Sequence, residues 1–141
     1  MAIGATNGVA AASGYSEAGV CLFANAPVGD NAGIITTDRQ GLDKGFNRDV
    51  SPGGDYTLSG SGVIGTSFAA PQAAGVAALI LEQNPNLTWR DVRHIIARTA
   101  VKVNPADDTW RTLPVPTGGG PALHWSPLFG FGRINATAAV A

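Results

Sequence analysis

Gly60-Ser61-Gly62-Val63-Ile64-Gly65-Thr66-Ser67-Phe68-Ala69-Ala70-Pro71-Gln72-Ala73-Ala74-Gly75 is the stretch on which the reading of this chain turns. Its second half opens a helix expected over residues 67 to about 84. The alanines, leucines and Ile80 are apolar on nearly every face, which predicts a buried central helix. Pro71 falls in the first turns, where a missing N–H is best tolerated, and Asn84-Pro85-Asn86 ends the element.

Three chemistries compete for the junction. Gly60 to Gly65 spells G-x-G-x-x-G, and Glu82 lies about twenty residues on, as in a dinucleotide-binding turn. That turn follows a strong apolar strand, whereas Asp55-Tyr56-Thr57-Leu58-Ser59 is a poor one, and the acid belongs on the next strand rather than in the helix. The second reading makes Ser67 a nucleophile. A serine at a helix start lies at the positive end of the macrodipole, where backbone N–H groups can stabilise an oxyanion. The small neighbours Gly65, Ala69 and Ala70 leave room for a substrate carbonyl. The third reading is a plain N-capping serine, which local chemistry alone favours.

Partners for a nucleophilic Ser67 are not obvious. The order Ser, acid, His would nominate Asp107 or Asp108 with His124, but the fold that uses it demands G-x-S-x-G, and Ala69 stands two residues past Ser67. The order Asp, His, Ser places both partners before Ser67, and no histidine precedes it. His94 reads as an exposed helix residue, His124 as part of a Gly/Pro loop and Asn7 as a turn residue.

Outward from the junction, Ala2 to Thr6 and Val20 to Ala24 read as strands, the second ended by Pro27, and Ile34-Ile35-Thr36-Thr37 as a third. Residues 38–62 read as an exposed polar loop. Thr88 and Asp91 form an imperfect capping box for a helix with Val92, Ile95, Ile96 and Thr99 inward and Arg90, Arg93, His94 and Arg98 outward. Residues 104–127 read as irregular, and a last short helix runs through Ile134 to Val140.

The chain of 141 residues and 14.3 kDa fits one domain, with 45% hydrophobic residues to build a core. Charged residues are only 13%, and 9 basic against 10 acidic side chains give a net charge of -1. That balance argues against nucleic-acid and membrane-surface binding. No apolar run is long enough to span a bilayer, and the first residues do not resemble a signal peptide. The 19 glycines and 9 prolines cluster between apolar segments, the punctuation of many sharp turns. Cys21, the single cysteine, excludes an internal disulfide and reads as a small core residue within its strand.

Gly65-Thr66-Ser67-Phe68-Ala69-Ala70-Pro71-Gln72-Ala73-Ala74-Gly75 resembles the G-T-S-x-A-x-P-x-x-A-G signature around the nucleophile of subtilisin-like serine proteases (peptidase family S8). The run from Leu81 to Val92, Gly14-Tyr15-Ser16-Glu17-Ala18, Ile35-Thr36-Thr37-Asp38 and Phe129-Gly130-Phe131-Gly132-Arg133-Ile134-Asn135-Ala136 resemble its kexin/furin branch. The segment between Arg39 and Ser59 is longer than in furin and more like bacterial kexin-type members.

The resemblance covers essentially the whole chain, residues 1–141, as the second half of a catalytic domain. It implies an α/β fold: a three-layer subtilisin-like arrangement with a mostly parallel sheet, of which this is the C-terminal portion. It implies a serine endopeptidase with Ser67 as nucleophile, its N–H as one oxyanion donor, Gly65 and Thr66 against the substrate, and a polypeptide substrate. The catalytic Asp and His and the oxyanion-hole Asn of the family precede the segment that Met1 to Ala5 resembles. The expected partner is therefore the N-terminal half of the domain, and the chain alone is expected to be inactive, with poor solubility or partial disorder. Family analogy also implies secretion or a cell-envelope location, and structural calcium with Glu17 as the one ligand covered. A solvated turn carboxylate is the other reading of Glu17, because calcium takes six to eight oxygens. A binding or assembly module on a protease scaffold is the non-enzymatic alternative.

Overall fold

The computed structural model describes residues 1–28, 34–40, 56–57, 64–114 and 120–141. Two parallel strands, β1 (Ala2–Thr6) and β2 (Leu22–Pro27), form its centre, with Ile3 opposite Ala24 and Ala5 opposite Ala26. A parallel pair needs a long crossover, and here an irregular segment, residues 7–21, provides it. The Asn7 side chain folds its start by accepting the N–H groups of Val9 and Ala11 at 3.1 and 2.9 Å. On the free side of β2, the N–H of Phe131 donates to Phe23 O at 2.7 Å, the N–H of Asn25 to Gly132 O and the N–H of Ile134 to Asn25 O, the last two at 2.9 Å. Val101 then pairs with Arg133, so the sheet continues beyond its two regular strands. Glycine is obligatory in this seam. A Cβ on Gly130, where φ is 57°, would lie 2.3 Å from Phe23 O.

Helix α1 (Thr66–Gln83) packs against both strands, and α2 (Trp89–Thr99) and α3 (Ala136–Val140) close over the same core. Val76, Ile80, Val92 and Ile96 meet Phe23 and Ala24 there. A smaller cluster of Ala5, Ala26, Val28 and Ala69 lies at the N-terminal end of α1. Full burial of each Val or Ile contributes roughly 1.5–3 kcal/mol. The expected capping box of α2 is complete. Asp91 accepts the N–H of Thr88 at 2.7 Å, and the Thr88 hydroxyl accepts the N–H of Asp91 at 3.4 Å. The Thr88 hydroxyl, donating to the carboxylate at 2.7 Å, and then the Thr88 N–H hold the Asp91 carboxyl below the usual carboxylate range.

Four expectations are corrected. Helix α1 is buried on one face only, at Ala69, Ala73, Val76 and Ile80, while Leu79 and Leu81 are 45% and 39% exposed. No described element covers that second face. Cys21 is exposed and lies just before β2 rather than in the core, because the strand starts one residue later, at Leu22. The third strand is shorter than expected: β3 (Thr36–Thr37) pairs antiparallel with β4 (Tyr56–Thr57), so the polar region contains a strand. Most of the expected loop over residues 38–62 lies outside the described residues, as does the first part of the glycine-rich string.

The region read as irregular, residues 104–127, holds another antiparallel pair, β5 (Arg111–Thr112) with β6 (His124–Trp125). Aromatic packing organises it. Trp110 stacks on Phe129 at 5.4 Å and meets the edge of His124 at 5.2 Å. The Trp125 indole donates to Leu22 O at 3.2 Å, which ties the pair to β2. None of this follows a period of two or 3.6, so pattern reading had no signal to find.

Candidate active site around Ser67

The N-cap of α1 is Gly65, with φ 135° and ψ 155°, and it makes no side-chain capping bond. That backbone conformation is open to glycine and strained for other residues. Ser67 is therefore the second residue of the helix and not its cap, so the local capping reading fails. Its side chain is exposed. Among the described residues nothing hydrogen-bonds to its hydroxyl and no acceptor takes its N–H, whereas the N–H of Phe68 already bonds to Gly65 O at 3.0 Å. Pro71 has no N–H to give the Ser67 carbonyl, the i−4 acceptor in a regular helix. The first turn thus presents a free hydroxyl and a free donor where the macrodipole favours negative charge.

Thr66 lines a cavity of about 330 Å³ together with Gly4, Ser16, Glu17 and Leu22. The fold brings Thr66 and Glu17 to one wall-sharing pocket, with Ser67 next in the chain to Thr66. Beside it, Ser16 Oγ accepts the N–H of Ala5 at 3.0 Å, which fixes the crossover against β1. Asn25, fully buried in β2, gives its Nδ2 to Leu128 O at 3.2 Å and leaves Oδ1 without a partner. That oxygen sits so near Gly4 that a Cβ there would lie 2.2 Å away. The sequence reading passed over Asn25; a lone amide within an apolar strand run was the available signal.

Glu17 is exposed, and among the described residues no three His, Cys, Asp or Glu side chains gather as a metal site. The residues present do not by themselves fit a calcium ion, which needs many more oxygens.

Neither histidine hydrogen-bonds to Ser67. His94 borders a different cavity with Phe23 and Trp89. His124 is half-buried against Trp110, and its Nε2 has no partner. Burial, and then the Lys102 charge, lower its pKa against an opposing contribution from the Phe131 backbone. Asp107, the acid nominated with His124, accepts the N–H and hydroxyl of Thr109, and those bonds lower its pKa. Thr109 continues to Ser126 at 2.7 Å. The pair His124 and Asp107 thus belongs to the aromatic corner and not to Ser67. Asn7 is held in its turn, as read from the sequence.

A glycine-capped helix with an exposed serine packs beside parallel strands in an α/β arrangement, and comparison with known proteins gives its class. The chain belongs to the subtilase family, peptidase S8, which matches residues 1–132. It is 38% identical, over 99% of its length, to a calcium-dependent protease of Trichormus variabilis, of which it covers 20%. It is 42% identical over 51% of its length to the protease KEX1 of Kluyveromyces lactis. The serine protease of Aeromonas sobria, solved in complex with its chaperone ORF2, superposes with a TM-score of 0.79 at 28% identity, over 98% of this chain and 28% of that one. Fervidolysin of Fervidobacterium pennivorans gives 0.69 at 25% identity, over 98% of this chain and 18% of that one. The subtilisin-like α/β fold and the kexin/furin-like relatives expected from the sequence are both present. The chain spans about a fifth of the length of the first curated relatives it matches (20%).

Proposed function

We propose that this chain is the second half of a subtilisin-like catalytic domain and contributes the nucleophile of a serine endopeptidase. The observation that carries the reading is the first turn of α1, where among the described residues neither the hydroxyl nor the N–H of an exposed Ser67 is engaged. In this reading Ser67 Oγ attacks the peptide carbonyl while a base takes its proton. The Ser67 N–H stabilises the oxyanion, and the amine leaves with a proton from that base. Water then hydrolyses the acyl-enzyme. Gly65 and Thr66 lie against the substrate chain. The base and its orienting acid come from outside residues 1–141, because neither His94 nor His124 bonds to Ser67. The chain by itself is then inactive, since loss of triad members removes orders of magnitude of rate.

Glu17 serves as one ligand of a structural calcium only if other oxygens come from the remainder of the protein. Secretion or a cell-envelope location belongs to the same reading by family analogy. No described helix is long and apolar enough to cross a membrane.

Labelling with a fluorophosphonate probe tests the proposal on the chain alone and on the chain joined to its upstream half. Labelling only of the joined protein, abolished by Ser67→Ala, is the expected result. Labelling of the isolated chain would identify a base within it and refute the split machinery. Absence of labelling in both would favour the second reading, a binding module on a protease scaffold, which the lack of a base at Ser67 also suits.

A further inference from the structure

A second cavity, of about 290 Å³, opens between the first turns of α2 and β2, away from the residues of the proteolytic reading. Phe23, Ala97 and Phe131 give it apolar walls, and Arg90, Arg93 and His94 stand exposed around it. Its size is at the lower end of small-ligand sites, roughly 300 Å³ upward. The guanidinium of Arg90 lies 4.4 Å over the Trp89 ring, and that of Arg93 lies 5.0 Å over Phe23 and 5.7 Å over Trp89. Stacking holds a guanidinium by its face and leaves its N–H edge available to grip a carboxylate with two parallel bonds.

Among the described residues the charge around this cavity is uncompensated. Helix α2 carries three arginines against one acid, Asp91, while the whole chain has net charge -1. Asp91 is committed to the capping box with Thr88, and among the described residues no carboxylate pairs with Arg90 or Arg93. A surface helix used only for packing needs neither a cavity nor two pre-stacked, unpaired guanidinium groups.

We infer that this cavity binds a carboxylate carried on a compact apolar group, the group against Phe23, Ala97 and Phe131 and the carboxylate on Arg90 and Arg93. The same chemistry is found in a small aromatic acid and in the C-terminal residue of a peptide. The site does not depend on Ser67, so its test stands apart from that of the proteolytic reading.

Tryptophan emission of the full chain, titrated with N-acetylphenylalanine, N-acetylphenylalaninamide and acetyl-Gly-Gly-Phe, tests the inference. Saturable binding of N-acetylphenylalanine is expected, with the amide at least about tenfold weaker, since it loses the charge-assisted hydrogen bonds to the guanidinium groups. Arg90→Gln and Arg93→Gln, both at exposed positions, should each weaken the acid about tenfold with unchanged far-ultraviolet circular dichroism. Equal binding of the tripeptide points to peptide ends as the source, and much weaker binding to small acids. Equal affinity for acid and amide, full retention of affinity in both variants, or no saturable binding by folded protein overturns the inference.

Discussion

The two long helices begin in opposite ways. Helix α2 closes its N-terminus with its own side chains, Thr88 and Asp91 satisfying each other's backbone donors. Helix α1 starts on Gly65 with no side-chain cap and leaves Ser67 exposed and unengaged. The same contrast continues along their lengths. Helix α2 is amphipathic, with Val92, Ile96 and Ala97 buried and its arginines outside, whereas α1 is apolar all round yet covered on one face. One helix is complete within residues 1–141. The other has chemistry and surface that nothing described here uses, in keeping with a chain covering a fifth of its relatives' length (20%).

Four substitutions probe that contrast and the packing against which both helices rest. Gly130→Ala should cost the most, about 4 kcal/mol, because the new Cβ meets Phe23 O at a positive φ. Urea denaturation reads it, and a loss below about 1 kcal/mol would mean that the seam beside β2 yields easily. Ile80→Ala, on the covered face of α1, should cost about 3 kcal/mol by the same measurement.

His124 gives a smaller, pH-dependent effect. Its folded pKa lies below the ordinary value of 6.5, so the unfolded chain binds a proton first as pH falls. The contribution is full above pH 6.5 and is lost as pH falls from there through the lower folded value. Denaturation midpoints across that range should decline for the parent chain and flatten for His124→Gln. An unchanged slope would assign the decline to other groups. Leu79→Ser, on the open face of α1, should change the stability of this chain by less than about 0.5 kcal/mol. A loss of several kcal/mol in the chain joined to a subtilase N-terminal half, and only there, would establish that another segment covers this face.

Much of this was legible beforehand for a physical reason. Strand β1, both long helices, the stop at Asn84 and the Thr88–Asp91 box depend on local periodicity and capping chemistry, which neighbouring residues carry. Ser67 was singled out by the likeness of Gly65–Gly75 to a family signature, whereas its local chemistry alone favoured a plain cap. Cys21 and Val20 misled, since an apolar run does not say where pairing begins; Val20 is 90% exposed. Ser67 was also open to a capping reading until the backbone placed Gly65 at that position.

The sequence by itself determined both long helices, the Thr88–Asp91 cap of α2 and the place of Ser67 in the first turn of α1, all consequences of contacts a few residues apart. Only the tertiary structure decided that Thr66 and Glu17 share a cavity, that His124 belongs to Trp110 rather than to Ser67, and that Arg90 and Arg93 stack around a second cavity. Those relations join segments as far apart as β2 and α2. They depend on how the sheet and helices pack, a property that no local pattern encodes.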